Sequence, residues 1–147
     1  MNTIEKVLFT GKTHTTASRD ASGAHGKLDI TLSTPGGGDE QQVYAAVAPH
    51  PTAEQFFAGA WSACYSAAIG LIAAQKRVAL PADLAVEVEV DLGQTGNAYF
   101  LQARFEVRMP GVAQDVAERI AHAAHEICPY SKATRGNIDV AVKVVTV

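Results

Sequence analysis

The chain of 147 residues holds two cysteines, Cys64 and Cys128, and they are its only candidate sulfur nucleophiles. Cys64 sits inside an uncharged run from Phe56 to Ala74, made mostly of Ala, Gly, Ser and aromatic residues. Cys128 ends a helical pattern and is followed at once by Pro129. Two thiols that meet in the fold can cycle between dithiol and disulfide. Two thiols that stay apart are small core hydrophobes, since free cysteine is among the most buried residue types. Both readings stand at this level.

The reactive species is the thiolate, and an unperturbed cysteine has a pKa near ~8.5. Cys128, at the C-terminal end of its helix, faces the negative end of that dipole. Cys64, more than two turns into its own helix, is too deep for the N-terminal end to help. A reactive Cys64 therefore needs a cation from elsewhere in the fold. The arginines are Arg19, Arg77, Arg104, Arg108, Arg119 and Arg135. Arg77 lies at the far end of the same helix, about 20 Å away at ~1.5 Å per residue. Arg104 and Arg108 read as solvated strand positions. Arg19 and Arg135 read as loop residues, where functional side chains concentrate. Spacing does not choose between them. No CxxC pair is present, and Cys64 does not open a helix after a strand, which disfavours a thioredoxin-type site. A Cys–His hydrolase would need His14, His25, His50, His122 or His125, and no spacing pairs one of them with Cys64. His122, His125 and Cys128 share a helix face at i, i+3 and i+6, but the row spans about 9 Å. One metal ion with bonds near ~2 Å cannot bridge its ends. Two solvated histidines and no metal site are the expectation.

These residues need elements to position them. Residues 4–16 read as a strand, Ser18 to Gly23 as a turn, and 27–33 as a strand with Leu28, Ile30 and Leu32 alternating. Pro35 to Asp39 is a glycine-rich loop, with no phosphate-binding helix after it. Thr52 caps a long helix, with Gln55 completing a capping box and Glu54 in the first turn. Lys76 and Arg77 suit its C-terminal end, and Pro81 breaks the chain. Val86, Val88, Val90 and Leu92 alternate with acidic residues. After a turn over Gly93 to Asn97, alternation resumes from Tyr99 to Met109, which reads as an antiparallel hairpin with opposite charges across it. Val112, Val116, Ile120, Ala123 and Ile127 keep helical spacing until Pro129, and Ile138 to Val144 reads as a last strand. The order ββαββαβ predicts an α+β fold, with a curved antiparallel sheet wrapped around the central cysteine-bearing helix.

The length suits a single domain, 1–147, with a real core. Apolar residues make up 48% and charged residues 18%, which excludes disorder. A net charge of -3 argues against nucleic acid as the partner. The first residues carry an acidic side chain and no apolar core, so no signal peptide is expected. Two cysteines do not make a secreted disulfide scaffold, so a cytoplasmic protein is expected. The run Phe56 to Ala74 is long enough for a membrane span, but its Ala, Gly and Ser content gains little from lipid. A buried core helix is expected instead, with no membrane span. Gly59, Ala60, Ser62, Ala63, Ser66, Ala67 and Gly70 let another backbone come close, and a second copy of the chain is one candidate.

Two segments carry a family resemblance. Ile127-Cys-Pro-Tyr-Ser-Lys-Ala-Thr-Arg-Gly-Asn-Ile-Asp-Val140 and Ala53-Glu-Gln-Phe-Phe-Ala-Gly-Ala-Trp-Ser-Ala-Cys-Tyr65 resemble the two cysteine motifs of the organic hydroperoxide resistance (Ohr) family, part of the OsmC/Ohr superfamily. Lys27 to Pro35 is similar to that family too, and the match runs effectively end to end. The block after Cys128 is the specific part. The resemblance implies an OsmC-like fold in an intertwined homodimer. It implies a thiol peroxidase for alkyl and fatty-acid hydroperoxides, with no bound cofactor, reduced by the dihydrolipoyl groups of a lipoylated protein. By position, Cys64 matches the peroxidatic cysteine and Cys128 the resolving one. Arg19 matches the activating arginine, and Glu54 the glutamate that holds it. One departure is visible: relatives carry Asn-Pro before this glutamate, where Thr52-Ala53 stands here. Glu54 and Cys64 are about 15 Å apart along one helix, so Arg19 bridges them only through a suitable fold or through a glutamate from a second subunit. The alternatives are a peroxidase of the OsmC branch and a non-catalytic redox-sensing or ligand-binding relative.

Overall fold

The computed structural model describes residues 4–17, 28–33 and 52–147. The Ser18–Gly23 turn, the Pro35–Asp39 loop, Arg19, His25 and His50 lie outside the described residues. Eight elements follow in order: β1 (Lys6–Ala17), β2 (Leu28–Ser33), α1 (Ala53–Gln75), β3 (Ala85–Thr95), β4 (Ala98–Arg108), α2 (Gln114–Ile127), α3 (Pro129–Thr134) and β5 (Asp139–Val145). The strands form one sheet in the order β2-β1-β3-β4-β5. The α+β class expected from the sequence holds, with one helix more than expected, α3, and two differences in the sheet.

The first is the direction of β5. It runs parallel to β4, pairing Gln102 with Asp139 through Arg108 with Val145, so the sheet is mixed rather than antiparallel. The reason lies in the connection: α2 and α3 carry the chain back across the sheet before β5 starts, and parallel neighbours require such a crossover. The second is the hairpin. The turn shrinks from Gly93–Asn97 to Gly96 and Asn97, because Gly93 and Gln94 stay in register with Phe100 and Tyr99. Gly96 has φ 57°, the left-handed backbone that a two-residue hairpin loop demands. Gly93 is glycine for a different reason, since a Cβ there would run into the side chain of Ile4.

The capping box forms as the residue types predict. Thr52 accepts from the Gln55 backbone at 3.1 Å, and Gln55 accepts from the Thr52 backbone at 2.9 Å. The helix that follows packs on β1, β3, α2 and α3. Its inner side buries Ala58, Trp61, Tyr65, Ala68, Ile69, Ile72 and Ala73. The sheet answers with Val86, Val88 and Val90 from β3 and with Ala103, Phe105 and Val107 from β4. The helix is apolar and long enough to cross a membrane, yet half of its most apolar window is buried against the rest of the chain. That is the packing of a core helix. Burying a side chain of the size of Ile or Phe stabilises by about 1.5–3 kcal/mol, so this layer supplies most of the driving force.

Candidate active site

Cys64 and Cys128 meet. Their Sγ atoms are 2.9 Å apart, and both are free thiols. Cys64 is half-buried on α1, and Cys128 is fully buried.

The local reason is the Cys-Pro pair. A residue before proline is pushed out of the helical region, and Cys128 has φ -60° and ψ 122°. Its backbone N–H still closes α2 on the Ala124 carbonyl at 2.9 Å. Pro129 then occupies the first turn of α3, where its missing N–H costs nothing. Proline therefore ends one helix and starts the next, and Cys128 is the elbow between them. The sequence pattern shows only the ending. The start was readable from proline's preference for a first helical turn.

That elbow adds a donor at Cys64. No dipole from its own helix reaches it, but the backbone N–H of Tyr130, in the first turn of α3, hydrogen-bonds its thiol and favours the thiolate. Burial outweighs this donor and pushes the Cys64 thiol up, and the neighbouring Cys128 pushes the same way. The described residues thus bring the thiols together but leave Cys64 short of positive charge.

The surrounding side chains fix the contact. Trp61, one turn before Cys64, donates its indole N–H to the Ser131 hydroxyl at 3.0 Å, and both residues are fully buried. Tyr65 donates to the Ala121 carbonyl at 2.8 Å and so ties α1 to α2. Burial holds that phenol well above its ordinary pKa, so it stays a donor. Trp61 and Tyr65 each meet Phe105 edge-on, with ring centroids 5.0 Å apart. Phe56 and Phe57 are not core residues: they are 64% and 36% exposed. With Ala60, Ala67 and Leu71 they form an exposed apolar stripe on α1, and Cys64 lies at its border.

Glu54 stands half-buried in the first turn of α1. There β1 passes so close that a Cβ on Gly11 would lie 2.6 Å from the Gln55 nitrogen and 2.7 Å from the Glu54 carbonyl carbon. Glycine at position 11 is what permits this approach. Arg19 follows β1 in the chain and lies outside the described residues. No cluster of three metal-ligating side chains occurs among the described residues. His122 is solvated as expected, whereas His125 is half-buried against Tyr65 and Phe105 at 6.2 Å. Burial pushes the His125 pKa down, and the Arg135 charge adds to this. Arg135 is engaged structurally, with Glu126 at 3.0 Å and the His125 carbonyl at 3.1 Å. A shallow cleft of about 260 Å³ lies on the far face of the sheet between Lys12, Glu89, Arg104 and Lys143, and it contains no nucleophile.

Comparison with known proteins fits this arrangement. Residues 38–143 match the family described as OsmC-like protein. Over 142 residues the chain is 33% identical to the organic hydroperoxide resistance protein of Xanthomonas axonopodis pv. citri, covering 95% of this chain and 96% of that one. Similar solved structures include two of the same description. An organic hydroperoxide resistance protein OsmC of Legionella pneumophila is 34% identical, with a TM-score of 0.62 over 67% of this chain and 72% of that one. The organic hydroperoxide resistance protein OhrB of Bacillus subtilis is 26% identical, with a TM-score of 0.62 over 92% of this chain and 98% of that one. The chain belongs to the OsmC-like family, in its organic hydroperoxide resistance branch.

Proposed function

We propose that this chain is a cysteine-based peroxidase that reduces organic hydroperoxides to alcohols in defence against oxidative stress. The observation that carries the reading is the 2.9 Å approach of Cys64 to Cys128 across two different helices. Two inert core cysteines have no need of that contact. The names of the relatives point to the same substrate class.

In this reading the Cys64 thiolate attacks the distal oxygen of ROOH. The O–O bond breaks, the alkoxide takes a proton and leaves as alcohol, and Cys64 becomes a sulfenic acid. Cys128 attacks the Cys64 sulfur, the S–O bond breaks, and hydroxide leaves as water with the thiol proton. A dithiol restores both thiols by exchange, and the dihydrolipoyl group of a lipoylated protein is the proposed reductant. No resident cofactor is required.

Arg19 is the proposed source of the charge that Cys64 lacks. It would stabilise the thiolate and the negative charge developing on the leaving oxygen. Glu54 would hold its guanidinium. About 15 Å of helix separates Glu54 from Cys64, so the glutamate that completes a site is proposed to come from a second subunit. The apolar stripe beside Cys64 supports such a homodimer, since Ala60 and Ala67 admit a close helix and Phe56 and Leu71 are left exposed. The protein is proposed to act as one domain in the cytoplasm.

The test is steady-state consumption of tert-butyl hydroperoxide with dihydrolipoamide as reductant. Turnover by the native chain and none by Cys64→Ser supports the reading. Disulfide formation without turnover would instead favour a redox sensor.

A further inference from the structure

Two contacts between side chains join α1 to the stretch from Cys128 to Ser131, and they form a ladder. Trp61 meets Ser131 at 3.0 Å, and Cys64 meets Cys128 at 2.9 Å. The spacing is three residues on each side, 61 to 64 and 131 to 128, with the two segments running in opposite senses. Only the lower rung is consumed by the chemistry. The upper rung is closed off from solvent at both ends, with Trp61 and Ser131 at 0% exposure. The indole offers a single N–H, and Ser131 is what receives it. The short helix α3 has only six residues; besides its own turns, Lys132 on the Cys128 carbonyl at 3.0 Å and Arg135 on the Ser131 carbonyl at 3.1 Å, it is tied to α2 through Arg135 and touches α1 through the Tyr130 N–H at the Cys64 thiol. The Trp61–Ser131 bond is the contact between α1 and α3 that does not involve the reacting thiols.

We propose that Ser131, by accepting the Trp61 indole N–H, is a positioning residue that sets the rate at which Cys128 closes on oxidised Cys64. The inference rests on the peroxidase reading above and goes further, to what decides the fate of the intermediate. Once Cys64 is a sulfenic acid, two reactions compete for it. In the first, Cys128 displaces the hydroxyl, forming the S–S bond and releasing water. In the second, another hydroperoxide transfers its distal oxygen, giving a sulfinic acid and one alcohol. The first is intramolecular and depends on alignment, and a misplacement of about 1 Å costs such steps one to two orders of magnitude. The second is bimolecular and does not use Cys128. Loosening the upper rung thus slows only the protective branch.

The measurement is the tert-butyl hydroperoxide concentration at which half of Cys64 ends as sulfinic acid rather than as disulfide. It is read by mass spectrometry of the full-length chain after alkylation. Both branches start from the same sulfenic acid, so this half-point is independent of how fast Cys64 first reacts, and it is read on samples whose far-UV circular dichroism matches that of the native chain. Ser131→Ala should lower the half-point about tenfold. Ser131→Thr, which keeps the hydroxyl acceptor, should restore it. Trp61→Phe removes the donor from the other side and should shift the half-point in the same direction, which keeps the test decisive should Ser131→Ala not fold. A half-point unchanged in Ser131→Ala, with only the melting temperature lowered, would overturn the inference and leave the peroxidase reading intact. Absence of any Cys64–Cys128 disulfide in the native chain would overturn that reading and this inference together.

Discussion

The two faces of the sheet treat ionisable groups in opposite ways. On the face away from the helices, Glu87, Glu89 and Asp91 of β3 alternate outward and meet cations from both neighbouring strands. Lys12 reaches Glu87 at 2.9 Å and Glu89 at 3.5 Å, and Arg104 reaches Asp91 at 2.6 Å and Glu89 at 2.8 Å. Asp91 is 1% exposed. Burial alone would raise its carboxyl, but Arg104, Thr10 and Gln102 hold it below its ordinary value. On the helix side the balance reverses. Cys64 has one backbone donor, burial wins, and its thiol is pushed up. A strand ladder brings its own counter-charges from the next strand, because every second residue faces the same way. A helix buried in an apolar layer has no such supply, which is why Arg19 is proposed as the source of charge for the thiolate.

Breaking the helix side should have the largest effect. Cys64→Ser should reduce hydroperoxide consumption to background in a coupled dithiol assay. Cys128→Ser should permit one fast reaction and then lose turnover as Cys64 over-oxidises, visible as a sulfinic mass on the peptide carrying Cys64. Arg19→Ala should slow the first step by roughly 10²-fold, as loss of one preorganised charge does. It should also move the pH profile of Cys64 alkylation to higher pH. A profile that does not move would mean that the missing charge comes from another residue.

Breaking the other face should leave the thiol chemistry alone and act on stability. Asp91→Asn removes a buried, hydrogen-bonded carboxylate and should cost about 1–3 kcal/mol in denaturant unfolding. The sign of the pH dependence follows from the lowered carboxyls of Asp91 and Glu87. The native state binds fewer protons than the unfolded chain. Their contribution is therefore complete above about pH 5 and is lost as pH falls below about 4. Asp91→Asn should flatten that acid slope. The smallest effect is expected at the helix cap, where Thr52→Ala should cost about 1 kcal/mol.

Much of this layout was legible in the residues. Alternation of Val86, Val88 and Val90 with Glu87, Glu89 and Asp91 placed β3 and its two faces, and Thr52 with Gln55 placed the start of α1. The direction of β5 was not legible, because a strand's residue pattern is the same for parallel and antiparallel neighbours and the crossover decides. The exposure of Phe56 and Phe57 was not legible for a similar reason. Aromatic residues at helical spacing signal burial only if a neighbour covers that face, and no described element covers theirs. Within the site, the thiol pair could be named from its motifs, but the meeting of the thiols depends on the Cys128 elbow and the Trp61–Ser131 contact. The elbow is local and was readable from Cys128-Pro129, but the Trp61–Ser131 contact is a long-range fact that no local window contains.

The proposed chemistry requires that the two thiols form one redox unit. The direct measurement is peptide mass spectrometry of the native chain after one equivalent of tert-butyl hydroperoxide, with free thiols blocked before digestion. The expected product is a single cross-linked species joining the Cys64 and Cys128 peptides, lighter by two hydrogens than the reduced pair and lost on adding dihydrolipoamide. Recovery of both peptides as blocked free thiols, with the hydroperoxide unconsumed, would contradict it.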